Sequence, residues 1–192
     1  YLWEFAHRLW ARLVGLALAV PLLYFAWRRE VRGPLAWRIG GILLLTGLQG
    51  AMGWYMVKSG LVDDPRVSQY RLAAHLGLAF LLFGLMFWTG LGVLQARAAA
   101  PAPTLTRRLG NWLVALVFIM VLSGALVAGI HAGLAYNTFP LMNGNFVPPE
   151  ILMVEPLWLN FFTNMATVQF DHRMIAWLLM GLIPWYSWRI WN

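Results

Sequence analysis

The chain has 192 residues, of which 61% are hydrophobic and 11% charged, with a mean hydropathy of +0.66. That balance excludes an ordinary soluble protein, and the formal charge of +7 has no soluble basic domain through which to bind nucleic acid. Cysteine is absent, so neither a dithiol redox pair nor a disulfide is available.

A bilayer crossing takes roughly 20 mostly apolar residues, and lipid obliges each crossing to be helical. Five stretches qualify, at residues 9–27, 37–57, 71–94, 109–130 and 169–188. The expected fold is all-α, a polytopic transmembrane helical bundle. Ahead of the first span stands Glu4-Phe5-Ala6-His7-Arg8, and after it come Arg28, Arg29, Arg32 and Arg38. The second span leaves through Val57-Lys58-Ser59-Gly60, and the third opens with Arg71 and His75. Arg97, Arg107 and Arg108 lie between the third and fourth spans. A long loop from about His131 to Val168 follows, with Tyr136-Asn137-Thr138-Phe139-Pro140 and Pro148-Pro149. Within it, Leu157-Trp158-Leu159-Asn160-Phe161-Phe162 reads as a short segment lying in the membrane interface. The fifth span opens with Gln169-Phe170-Asp171-His172-Arg173 and is followed by Arg189.

The arginine-bearing loops share one face, which the positive-inside rule assigns to the cytoplasm or matrix. Glu4, Asp63, Asp64, Glu150, Glu155 and Asp171 fall on the opposite, outer face. Trp27, Trp37, Trp54, Trp112, Trp185, Trp188 and Trp191 sit near helix ends and read as an interfacial aromatic belt. Pro21 and Pro184 are expected to bend or end their helices. Methionines are scattered and read as core filling. The chain opens on Tyr1 and stops as the last span ends, so it is expected to be part of a longer protein.

Two segments echo each other. Glu4-Phe5-Ala6-His7-Arg8 returns 165 residues later as Gln169-Phe170-Asp171-His172-Arg173, and the register continues with Ala11 and Leu13 against Ala176 and Leu178. Gly50-Ala51 followed by Gly60-Leu61 similarly resembles Gly124-Ala125 followed by Gly133-Leu134. Small residues at such places let helices approach closely. The pattern implies two pseudo-repeated halves, residues 1–100 and 101–192, each with one His-bearing helix of this kind.

An ionisable side chain at membrane depth is costly and marks a functional site. His7, His75 and His172 lie in the first turns of spans one, three and five, all toward the outer face. Single histidines at helix ends usually hydrogen-bond or reach the interface; three at one depth point to ligation. Two imidazoles from facing helices satisfy a haem iron. Arg8, Arg12, Arg71 and Arg173 accompany them and could grip anionic propionates at the water boundary. His131 has no counterpart in the other half and reads as solvated or as capping a helix end. Glu4 precedes His7 by one turn. It is either an acid favoured by the helix dipole, or a base or charge stabiliser beside the macrocycle.

These residues resemble the haem A synthase family, in its mitochondrial and alphaproteobacterial type. The resemblance rests on Glu4-Phe5-Ala6-His7-Arg8, Gly53-Trp54-Tyr55-Met56-Val57-Lys58-Ser59-Gly60-Leu61, Pro65-Arg66-Val67-Ser68-Gln69-Tyr70-Arg71-Leu72-Ala73-Ala74-His75-Leu76-Gly77, Ala132-Gly133-Leu134-Ala135-Tyr136-Asn137-Thr138-Phe139-Pro140 and Val168-Gln169-Phe170-Asp171-His172-Arg173. These blocks run in family order across nearly the whole chain. The resemblance implies about eight helices in two halves, of which this chain covers the second to the sixth. It implies His7 and His75 as ligands of the substrate, haem O, and His172 as one ligand of a haem b whose other ligand lies on the eighth helix. Glu4 matches the acid of the family's Glu-x-x-His motif, implicated in catalysis. Where His131 stands the family usually has Asp, and the lack of cysteine agrees with this family type. The implied reaction oxidises the C8 methyl of haem O to a formyl group, giving haem A for cytochrome c oxidase.

The resemblance further implies a bacterial plasma membrane or mitochondrial inner membrane, with the haem-ligand ends toward the periplasm or intermembrane space. Haem O synthase, the oxidase assembly machinery and a second copy of the chain are candidate partners, beside the lipid bilayer. Two other readings stand against the enzyme: a di-haem membrane cytochrome relaying electrons, and a haem-handling assembly partner without catalysis.

Overall fold

The computed structural model describes residues 2–60, 67–94 and 103–191, with Ser59 and Gly60 described by backbone alone. Leu61, Asp63, Asp64, Pro65, Arg66 and Arg97, all used in the sequence reading, lie outside the described residues. The helices in chain order are α1 (Leu2–Trp27), α2 (Gly33–Gly60), α3 (Gln69–Leu94), α4 (Thr104–Gly129), α5 (Ala132–Ala135), α6 (Asn160–Thr163) and α7 (Met165–Trp191). A single 3-10 turn, Leu157–Leu159, leads into α6.

Helices α1 to α4 are long and apolar enough to cross a membrane. Their large apolar side chains face outward: Leu44, Phe83 and Val114 are all highly exposed. In water such a surface would aggregate; against acyl chains it is the stable arrangement. The molecule is an integral membrane protein with a bundle of spanning helices. The stretch expected as a fifth span lies within the 27-residue α7, which is not among the helices long and apolar enough to cross. Its polar first turns and its tryptophans leave it short of the apolarity of the other four. Pro21 and Pro184 sit inside α1 and α7 without ending either helix. The tryptophans of the expected belt are all exposed, and Lys58 and Arg189 lie over the rings of Trp54 and Trp185, at 4.9 and 5.9 Å from their centroids.

Two compact units divide the chain. One holds Tyr1–Lys58 and Leu78–Ala98; the other holds Ser59–Gly77 and Ala99–Asn192. Within the first unit, α1 has no buried residue, and Ile42, Met56 and Leu82 are its buried apolar side chains.

The second unit is built on α4 against α7, and small residues set that approach. A Cβ on Gly110 would stand 2.8 Å from the Tyr186 phenol oxygen, which donates to the Thr106 carbonyl at 3.1 Å. Ala125 is buried beside Gly124. The first turns of α3 cross the same helix. A Cβ on Gly129 would fall 2.5 Å from the Gln69 Cα, and one on Gly77 would fall 2.9 Å from Leu122. The counterpart glycine on α2 behaves differently: a Cβ on Gly50 would meet nothing within 4 Å. The expected close approach is seen at Gly124, and none is seen at Gly50 among the described residues.

Residues 131–164 fold into a compact cap on the first turns of α7. Its apolar centre is Tyr136, Met142 and Ala166, with Phe170 against them. Tyr136 donates to Glu150 at 2.9 Å. Burial, with help from that carboxylate, holds its phenol above the ordinary range, so the hydroxyl remains a donor. Asn160, fully buried, ties the far end. Asn164 caps α7: its Oδ1 accepts from the Ala166 and Thr167 N–H groups at 2.9 and 3.3 Å. In the segment 157–162 the apolar Leu157, Trp158 and Phe161 face out while the polar Asn160 faces in. That inverted amphipathy suits a lipid boundary.

Candidate functional site

The His-bearing turns are helical in all three cases, which is why α1 and α7 begin before their apolar runs. On α1, Arg8 pairs with Glu4 one turn earlier, both partly exposed. His7 and Arg12 are exposed on the same helix. On α3, Arg71 and His75 are both half-buried, one turn apart. His7 and His75 belong to different compact units.

His172 on α7 has a seat made by α4. Its Nδ1 lies 2.8 Å from Ser123 Oγ, and Ser123 Oγ lies 2.9 Å from the Met120 carbonyl oxygen. A Cβ on Gly124 would stand 3.1 Å from the His172 Cε1 atom, so glycine makes the space into which the ring fits. No hydrogen bond reaches Nε2 among the described residues. An imidazole anchored at one nitrogen and open at the other fits axial ligation of a haem iron. Among the described residues, no three His, Cys, Asp or Glu side chains cluster as a bare ion would require. Haem asks less, since the macrocycle supplies the equatorial donors.

Arg173 next to it is engaged by the cap, donating to the Tyr136 carbonyl at 2.8 Å and the Leu141 carbonyl at 3.3 Å. Gln169 Nε2 donates to the same Tyr136 oxygen at 2.8 Å. The two halves of the His motif thus differ for a physical reason. Glu4 pairs with the Arg8 guanidinium, whereas the cation at the same spacing from Gln169, Arg173, is turned to the Tyr136 carbonyl, to which the buried Gln169 amide also donates. Gln169→Glu is expected to set acceptor against acceptor and draw Arg173 off the cap, at a cost of about 2 kcal/mol. Limited proteolysis would report it as faster cleavage within 131–164; unchanged cleavage would refute the account.

His131 is exposed and adopts the left-handed conformation, φ 57°, just after α4, with no side-chain capping bond. Its backbone N–H closes the turn onto the Ala128 carbonyl at 3.2 Å. Histidine tolerates that conformation, as do Asp and Asn, so the position serves the turn.

Sequence reasoning missed Ser123, Asn160 and Asn164. Asn164 was readable as an N-cap ahead of α7. Ser123 was readable as a polar group inside an apolar span, which must find a partner. Asn160 left no signal, because its partners come from backbone brought together only by the folded cap.

The fold defines a polytopic helical membrane protein, with one imidazole seated between α4 and α7. The chain belongs to the COX15-CtaA family, cytochrome oxidase assembly protein, which it matches over residues 1–192. It is 60% identical over 185 residues to a heme A synthase of Nitrosospira multiformis, covering 95% of this chain and 52% of that protein. It is 52% identical over 188 residues to one of Nitrosomonas eutropha, covering 96% and 53%. Against one of Parvibaculum lavamentivorans the identity is 47% over 188 residues, covering 98% and 54%. The chain therefore spans about half the length of the curated relatives it matches. No solved structure matches it.

Proposed function

We propose that the complete protein is a haem A synthase, oxidising the C8 methyl of haem O to a formyl group for cytochrome c oxidase. The conversion is a four-electron oxidation, by two successive hydroxylations of the methyl carbon and loss of water. The observation that carries this reading is the 60% identity to a heme A synthase over 95% of the chain. The seat of His172 supports its haem component.

In this reading, the first half, residues 1–100, takes the substrate through His7 and His75. Glu4 serves there as base or charge stabiliser beside the reacting methyl, its carboxylate oriented by Arg8. The second half, residues 101–192, holds haem b through His172, with the second ligand supplied from outside this chain. Haem b, when bound, supplies one-electron exchange. Gly124 leaves room for the ligating ring. Arg8, Arg12 and Arg71 are proposed propionate contacts; Arg173 would add one only through N–H groups its cap carbonyls leave over.

The same reading makes α7 the fifth span and relates the halves as repeats within an eight-helix protein. It sets the arginine-rich loops in the cytoplasm or matrix, and the His-bearing ends on the periplasmic or intermembrane side of a bacterial plasma or mitochondrial inner membrane. Partners on this account are haem O synthase and the oxidase assembly machinery, with self-association a further candidate.

The test is haem extraction and chromatography from cells that supply haem O and express the full-length protein. Recovery of haem A, or of its hydroxymethyl precursor, is the expected result. Haem b alone would favour the electron relay and sink the enzymatic reading. His7→Ala or His75→Ala is expected to abolish substrate-haem binding, read as loss of the corresponding low-spin spectrum; an intact spectrum would remove them as ligands.

A further inference from the structure

The hydrogen bonds around His172 select one tautomer. A serine hydroxyl carries a single proton, and a carbonyl oxygen only accepts. Ser123 Oγ is 2.9 Å from the Met120 carbonyl and 2.8 Å from His172 Nδ1. Both contacts are hydrogen bonds at once only if Ser123 donates to Met120 while the His172 Nδ1–H donates to Ser123. The proton then sits on Nδ1, and Nε2 keeps its lone pair. The opposite tautomer would turn the hydroxyl toward Nδ1 and leave an Nε2–H with no acceptor among the described residues. Gly124, the next residue on α4, completes the arrangement. A Cβ there would stand 3.8 Å from Nδ1 and 3.9 Å from Nε2 as well as 3.1 Å from Cε1, pressing on the edge of the ring.

We propose that Ser123 is a positioning residue that locks His172 as the Nδ1–H tautomer and thereby presents Nε2 to haem iron as the axial donor. This rests on the reading of His172 as a haem ligand. The link runs from the Met120 carbonyl through the Ser123 hydroxyl to the imidazole, so the backbone of α4 sets the direction of the ring on α7. A ligating imidazole whose other N–H is held by an acceptor is better oriented and a stronger donor, and losing such a partner typically weakens metal binding about 10- to 100-fold.

The experiment uses the full-length protein with Ser123→Ala, Ser123→Thr and His172→Ala. Haem content, the low-spin electron paramagnetic resonance signals and the midpoint potentials are read for each. The low-spin signal lost in His172→Ala identifies the haem concerned. Ser123→Ala is expected to keep the protein folded but retain that haem about 10-fold less tightly. The haem that remains should show shifted g-values and a raised midpoint potential, because a weaker donor stabilises ferric iron less. Ser123→Thr retains the hydroxyl and is expected to restore all three readings. If His172→Ala removes the signal while Ser123→Ala leaves retention, g-values and potential as in wild type, the Ser123 proposal is overturned and the ligand stands. A threonine variant that behaves like alanine overturns it equally. If His172→Ala removes no low-spin signal, the ligand assignment fails first, and the role of Ser123 with it.

Discussion

Glu4→Gln is expected to lower haem A production by about a hundredfold or more while the substrate haem stays bound. The substitution gives the first-half motif the residue found at the equivalent place in the second, Gln169. At position 169 the amide has a clear occupation, donating to the Tyr136 carbonyl from a buried site. Glu4 is bonded instead to the Arg8 guanidinium on its own helix. An amide at position 4 keeps the size and most of the polarity of the acid and gives up its charge and basicity. Were Glu4 only an acid favoured by the helix dipole, its loss would cost under about 1 kcal/mol of stability and leave turnover intact. The two roles are therefore separable by one variant. Haem A output measured by extraction, alongside haem occupancy by optical spectrum, decides between them. Occupancy unchanged with output unchanged would remove Glu4 from the chemistry; occupancy lost would recast it as a binding residue.

The sequence announced the spanning helices well because lipid makes burial a matter of composition. Apolar runs at 71–94 and 109–130 became α3 (Gln69–Leu94) and α4 (Thr104–Gly129), the largest displacement of their ends being the start of α4, from 109 to Thr104. The error was greatest at α1, where 9–27 was expected and Leu2–Trp27 is observed. The reason is chemical: Glu4 and Arg8 interrupt the apolar run, yet their pairing at i and i+4 supports the helix. Histidines were legible as misfits in an apolar sequence, and so were the arginines beside them. What was not legible is what holds the ring of His172. Ser123 was not read at all and Gly124 only as part of a small-residue packing pattern, and the equivalent Gly50 shows that the pattern alone does not decide contact. Arg173 similarly looked available for an anion until the carbonyls of Tyr136 and Leu141 were brought to it by the cap. Local sequence records the cost of a polar group; only the fold reveals which partner offsets that cost.

The cap supplies the other large effect. Asn160→Ala is expected to destabilise it by about 3 kcal/mol, because one buried side chain satisfies several buried groups. Its Oδ1 accepts from the Val154 N–H at 2.9 Å and from Asn164 Nδ2 at 2.9 Å. Its Nδ2 donates to the Val154 and Leu157 carbonyls at 2.7 and 2.8 Å. Alanine leaves those groups without partners in a place water does not reach, since Asn160 is 0% exposed. The damage passes along the chain to Asn164, which caps α7 and also donates to the Glu150 carbonyl at 2.9 Å. That helix carries His172, two turns further on, so a loosened cap frees the first turns on which the ligating ring depends. The variant is expected to melt at a clearly lower temperature and to be cut faster within 131–164. Asn160→Asp retains the acceptor oxygen but loses both Nδ2 donations and buries a charge, so it should be at least as damaging. A melting temperature unchanged in both variants would mean that the cap contributes nothing to the stability of α7. The contrast with Ser123→Ala is diagnostic: disturbing Ser123 should alter the haem signal with the cap intact, while disturbing Asn160 should open the cap first and change the haem only in consequence.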